Sequence, residues 1–222
     1  MATPRSAARC AVSLLALGFA GTAAAQNLIS QGTFDTPASL EVPTPWNNIS
    51  ASKVWSSLDV DDDPSSGSVA ISNSAAGQTG VFISQCLPVT GGEIYTYGAA
   101  HLSTGDNTTG NADVGIVYYS VADCQSGPLT FDTTSGAATD VWVDLQGSLE
   151  APANALSASL TLTAFKTGGN VNDPWVVNFD DAEVILPEPG AGSVGAVALA
   201  ALVLQRRLRA RASAASASTP AS

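Results

Sequence analysis

Between Gln26 and Leu186 the apolar residues recur at every second position, not every third or fourth. Eight runs carry this alternation, rich in β-branched and aromatic residues: KVWSSLDV (53–60), SVAIS (68–72), GVFISQCLPV (80–89), EIYTYGAAHL (93–102), DVGIVYYSVA (113–122), DVWVDLQGSL (140–149), LSASLTLTAF (156–165) and WVVNFDDAEVIL (175–186). Period two is the signature of strands, whose side chains point to opposite faces in turn. Turn-forming segments separate the runs: DDDPSSG, TGG, STGDNTTGN, QSGP, TTSGAAT and KTGGNVNDP. Many short strands divided by such signals predict an all-β sandwich or barrel, not βαβ units. Within LSASLTLTAF the pattern predicts a dry face of Leu156, Ala158, Leu160, Leu162 and Ala164. Ser157, Ser159, Thr161 and Thr163 make the wet face.

The two ends break the pattern. Arg5 and Arg9, an apolar run CAVSLLALGFAG and the small residues TAAAQ predict an export signal over residues 1–25, cut after Ala25. That cut removes Cys10 and leaves Cys86 and Cys124. In an oxidising compartment an even count suggests one disulfide, the alternative being two unpaired buried thiols. At the other end LPEPGAGSVGAVALAALVLQRRLRAR holds an apolar stretch, residues 190–204, too short to span a bilayer comfortably. GAGSVG matches a dinucleotide-binding pattern by accident, since no acidic residue follows it.

Charge narrows the partners. Residues 26–186 hold two lysines, Lys53 and Lys166, no arginine, and 18 Asp and Glu, a net of −16. Such a surface repels phosphate backbones, which excludes nucleic acid, and it attracts divalent cations. Catalysis finds little support. The sole histidine, His101, reads as a strand-end or loop residue, and no serine sits in a G-x-S-x-G elbow. Carboxylate pairs for glycoside hydrolysis remain open, because separation in space is invisible in a sequence. DVDDDPSSG starts like an EF-hand loop with Asp59, Asp61 and Asp63. Pro64 then replaces the required glycine and Ala70 the closing glutamate, so the segment reads as a solvated turn.

NLISQGTFD (27–35) resembles the N-L-I-x-N-G-x-F-E/D opening of jelly-roll carbohydrate-binding modules with a galactose-binding-like fold, with Gln31 in place of the usual asparagine. SSGSVAIS, VFISQCLPVTGGEIYTYGAA, VWVDLQGSLEAPANALSASLTL and VNFDDAEVI follow in that superfamily's order. The resemblance implies a jelly-roll β-sandwich over residues 26–186 and a polysaccharide ligand. It also implies a structural calcium held by Asp35, with backbone help around Thr33, and by Asp180.

For the sugar, aromatic platforms are the expected device. Trp46 and Trp175, in loop-like settings, are the candidates for an exposed face, with Tyr95 and Tyr97 as possible lining. Which half of the alternating Trp55, Tyr95, Tyr97 and Tyr118 lines a concave face needs the strand register. Trp142 and Tyr119 read as core.

The C-terminal segment, residues 187–211, resembles a PEP-CTERM sorting signal: Pro187, Glu188 and Pro189, a short apolar helix, then an arginine cluster, with a disordered tail over 212–222. It implies signal peptidase and an exosortase-like enzyme as processing partners, and transient membrane insertion through 190–204. The destination is then the envelope, surface or extracellular matrix of a Gram-negative-type bacterium. The combined expectation is an exported, non-catalytic protein that binds polysaccharide. A structural or adhesive matrix protein without a sugar site is the alternative, and a surface glycan hydrolase a more distant one.

Overall fold

The structure, a computed structural model, describes residues 25–37, 45–48, 52–75, 77–103, 110–169 and 171–186. The export signal, the sorting motif Pro187–Pro189 and the apolar stretch 190–204 lie outside the described residues. Among the described residues no helix is long and apolar enough to cross a membrane.

Two antiparallel sheets face each other. One has the order β3 (Ser52–Ser56), β4 (Ser68–Asn73), β11 (Trp175–Leu186), β6 (Ile94–Leu102), β9 (Val143–Glu150), with β1 (Gln26–Asn27) also pairing β11. The other runs β2 (Asn47–Asn48), β5 (Thr79–Pro88), β10 (Ser157–Lys166), β7 (Gly110–Tyr119), β8 (Pro128–Ala137). This is a β-sandwich, consistent with a jelly roll.

Alternation places the core. Val69, Ile71, Tyr95, Tyr97, Val177, Phe179 and Val184 point inward from the first sheet. Ile83, Leu87, Val114, Ile116, Tyr118, Leu160 and Leu162 meet them from the second. The dry face expected on β10 holds for Ala158, Leu160, Leu162 and Ala164, whereas Leu156, ahead of the strand, is exposed. The wet face is only partly wet: Ser157 is buried, and its hydroxyl donates to the Val121 carbonyl at 2.6 Å, beneath the β7–β8 loop.

One strand departs from the expectation. TTSGAAT reads as a turn, yet Thr133–Ala137 belong to the ten-residue β8. Its inward residues answer to partners on the opposite sheet. Asp132 accepts the Tyr97 hydroxyl at 2.8 Å. A Cβ on Gly136 would stand 2.4 Å from His101 Nε2, so only glycine fits there. His101 is itself near the end of β6, as expected, but buried.

The opening motif closes the sandwich. Asn27 accepts the Ile29 and Val184 amides on Oδ1, at 2.9 and 3.1 Å, and donates through Nδ2 to the Ala182 carbonyl at 3.1 Å. Gly32 lies against the same strand, where a Cβ would come within 2.0 Å of the Ala182 oxygen. Gln31 has φ of 57°, the left-handed region that asparagine enters more readily than glutamine. The motif's usual asparagine thus has a backbone reason, and this chain departs from it.

Candidate functional site

Two surface regions have the chemistry of a site. The first is an acidic hollow of about 170 Å³ lined by Thr33, Asp35, Asp59, Val60, Asp61, Asp63, Ser66, Asp180 and Asp181. It brings together Thr33, Asp35 and Asp180, named from the opening and closing motifs, with the DVDDD turn that the sequence reading kept apart from them. A bulge in β11 beside β6, between Asp180 and Glu183, with Asp181 at φ of 48°, turns both aspartates toward the hollow's wall.

The DVDDD turn is less solvated than expected. Asp59 is buried, and its Oδ1 accepts the Asp61 and Asp63 amides at 2.9 Å each. Asp180 is 1% exposed, accepting the Val60 amide at 3.2 Å and the Asp181 amide at 2.8 Å. Burial pushes its carboxyl up to about 7; the two amides pull the other way, and Asp181 and Asp59 add to the rise. Burial also raises Asp181, with help from Asp61, Asp59, Asp144 and Asp35.

Hard oxygen donors of this kind suit calcium by type. As placed, Asp59 and Asp180 accept backbone amides, Asp63 accepts from Ser65, and the Ser66 hydroxyl donates to Asp35 at 3.1 Å. Among the described residues no group of three acidic, histidine or cysteine side chains is assembled to hold a metal ion. An arriving cation would have to draw the carboxylates away from those bonds.

The aromatic residues named for a sugar face are in the core instead. Trp46, Trp175 and Tyr95 are each 1% exposed and Tyr97 is 0%. Trp46 stacks on Phe34 with ring centroids 5.4 Å apart, and its Nε1 donates to the Gln31 carbonyl. Trp175 opens β11 on the inward parity of Val177 and Phe179 and lies under Gly110, its Nε1 donating to the Asn111 carbonyl at 3.1 Å. The Tyr95 hydroxyl accepts the Thr90 amide, and Tyr97 lies over Gly147. Rings enclosed this way offer no face to a ligand. The reverse correction applies to Tyr119 and Trp142, which are only partly buried. Trp142 borders a hollow of about 350 Å³ together with Leu58, Pro64 and Asp140.

The second region is the outer face of the five-stranded sheet. The register sets its residues in cross-strand rows over β5, β10, β7 and β8. Cys86, Ser159, Val117 and Phe131 form one row, and Ser84, Thr161, Gly115 and Thr133 the next. Phe82, Thr163, Asp113 and Ser135 follow, then Gly80, Phe165, Asn111 and Ala137. Phe131 is 72% exposed. The Phe165 ring leans over Gly80, where a Cβ would meet it at 3.3 Å. Tyr119 lies on the same face beyond Val117.

Thr133 and Ser135 expose hydroxyls on this face and Thr161 and Thr163 are partly buried, whereas Ser84 and Ser159 in its middle are buried. The Cys86–Cys124 disulfide rises from it, with Cα atoms 6.0 Å apart, and ties the β7–β8 loop down as a wall at one end. The expected bridge is therefore present and bounds this region. Sequence reading passed over the phenylalanines, although Phe165 shares the parity of Thr161 and Thr163, the wet face.

No protein-family model matches the chain, and no curated protein matches it in sequence. Among solved structures, the enzymatically active domain of bacteriophage CBA120 tailspike protein 4 is similar over 72% of this chain and 21% of its own length. The identity is 14% and the TM-score 0.53. An arabinose-bound α-L-arabinofuranosidase, MgGH51, is similar over 72% of this chain and 26% of its own, at 18% identity and a TM-score of 0.51. A family 16 carbohydrate-binding module is similar over 71% of this chain and 99% of its own, at 15% identity and a TM-score of 0.48. The chain spans about a quarter or less of the first two. At these identities the likeness is one of fold, and the fold is the two-sheet β-sandwich.

Proposed function

We propose that this chain is an exported, non-catalytic protein of the cell surface or exopolysaccharide matrix that binds polysaccharide on the outer face of its five-stranded sheet. One observation carries the reading: Phe131, Phe165 and Tyr119 lie on the outward parity of their strands, with the hydroxyls of Thr133, Ser135, Thr161 and Thr163 between them. Sugar rings stack their C–H faces on aromatic rings while neighbouring hydroxyls satisfy their oxygens. The buried His101 supports a binding role over a catalytic one. Export through residues 1–25 and sorting through Pro187, Glu188 and Pro189, by signal peptidase and an exosortase-like enzyme, belong to the same proposal. So does a structural calcium at Thr33, Asp35 and Asp180, where the donor types fit and the ion would hold the two motifs together.

The test is binding of the whole chain to a panel of bacterial and plant polysaccharides. Saturable binding is expected, weakened about fivefold by Phe165→Ala or Phe131→Ala, in line with one aromatic contact of roughly 1 kcal/mol. A well-folded sample that binds nothing on the panel sinks the proposal in favour of a structural matrix role.

A further inference from the structure

Among the described residues, the cross-strand rows of the face proposed to bind polysaccharide contain one carboxylate, Asp113, on β7. Thr163 stands beside it on β10 and Ser135 on β8; Asn111 and Gly115 flank it along the strand. Its Oδ1 is enclosed and has no hydrogen-bond partner. A carboxylate oxygen left unpaired away from water costs free energy, and the cost is recovered only when a donor reaches it. Burial raises the carboxyl accordingly, with the Ser135 hydroxyl pulling the other way.

The neighbouring position is flanked by hydroxyls. Gly115 has to be glycine, since a Cβ there would be crowded at 3.0 Å by both Thr133 Oγ1 and Thr161 Oγ1. Thr161 is already turned onto that backbone, donating to the Gly115 carbonyl at 3.2 Å. Glycine inside a strand often marks close approach by another group. Two residues along a strand span about 7 Å, which puts Asp113 within reach of a sugar ring seated over Gly115.

Among the described residues no cation serves this face. Residues 26–186 contain no arginine. Lys53 donates to the Trp46 carbonyl at 2.7 Å from the other sheet, and the buried Lys166 donates to the Asp173 carbonyl at 2.6 Å. Uronates, sulfates and phosphates are recognised by guanidinium and ammonium groups, and here they would meet a carboxylate and a net charge of −16 over residues 26–186.

Resting on the reading above, we infer that the ligand is a glycan without anionic substituents. Its neighbouring hydroxyls donate to Asp113, beside the Thr133 and Thr161 hydroxyls that flank Gly115, and Asp113 sets the specificity. On binding, the Asp113 carboxylate turns from its enclosed, unpaired setting to meet those donors.

The experiment titrates the whole chain with a neutral soluble glucan, galactan and xylan, and with polygalacturonate and a sulfated glucan, each in calcium and in chelator. Expected is saturable binding to a neutral polymer and none to the anionic ones. Asp113→Ala then loses about tenfold or more in affinity, with its melting temperature unchanged or raised because an unsatisfied buried carboxylate is gone. If Asp113→Ala does not fold, Asp113→Asn, which keeps the shape and removes the charge, must show the loss. Tighter binding to polygalacturonate or to the sulfated glucan, in either condition, overturns the inference. So does neutral-glycan binding that changes less than twofold in the variant. In both cases binding itself survives, whereas a folded wild-type chain that binds no polymer overturns the underlying reading together with this one.

Discussion

The outer face of the five-stranded sheet and the acidic hollow between the opening and closing motifs are both made of residues turned away from the core, by opposite means. The sheet face is ordered by strand parity alone. Its rows come from four regular strands, and its single carboxylate stands among hydroxyls. The hollow is ordered by exceptions to parity. Phe34, Asp62 and Asp181, in or beside its walls, all have positive φ, as does Gln31 two residues ahead of Thr33. Positive φ is uncommon outside glycine and carries a conformational cost. The hollow also gathers aspartates from three separated stretches of chain, whose mutual repulsion is a second cost. Regular backbone thus presents a broad surface, whereas strained backbone gathers point charges.

The largest expected effect tests the border of the sheet face. Replacing Cys86 and Cys124 together by serine removes the bridge that holds the β7–β8 loop, and should cost about 3–4 kcal/mol, or roughly 10 °C in Tm. Calorimetry of the variant against wild type measures it. If the sheet face is the site, glycan affinity falls as well, even at temperatures where the variant is fully folded.

The next effect belongs to the hollow. Asp180 has a folded pKa of about 7, well above its unfolded value, so it stays protonated in the fold where the unfolded chain would ionise. The stability tied to that proton is fully present below the unfolded pKa and is lost as pH rises through about 7. His101, lowered by burial, acts in the opposite sense and loses stability as pH falls through the ordinary histidine range. Comparison with Asp180→Asn isolates the aspartate. Without calcium, the wild-type Tm should drop relative to this variant by on the order of 5 °C between pH 5.5 and 8. Calcium at pH 8 should restore it, and an identical Tm in calcium and in chelator would rule out the ion. Neither change should alter glycan affinity.

The smallest effect probes the strain itself. Gln31→Asn puts the residue of the motif at φ of 57° and should raise Tm by about 1–2 °C, without altering glycan affinity. A fall in Tm would mean that the Gln31 side chain makes up for its backbone.

What was legible in the sequence follows the same division. Parity predicted the inward row of β10 and the eight main strands, because burial on one face writes itself into every second residue. It missed β8, where Asp132 and Gly136 are dictated by Tyr97 and His101 on the other sheet, information no local window contains. It also placed Trp46, Trp175, Tyr95 and Tyr97 by ring chemistry when their parity and packing send them inward. The outward phenylalanines were legible in principle, Phe165 by counting on from Thr161 and Thr163. The hollow was half legible. The motifs supplied Asp35 and Asp180, but only folding could bring the DVDDD turn to them.

The pairing of Gln26 with Leu186 has a mechanical consequence. The two residues are opposite each other at one end of an antiparallel pair, so tension between them would peel β1, two residues long, from its neighbour one rung at a time. Tension entering at Leu186 and leaving through a polymer on the far sheet would take a different course. It would load β11 along its length, against ladders to β4 and β6 that must yield together. The same domain would be weak when stretched between its own ends and strong when pulled against what it holds.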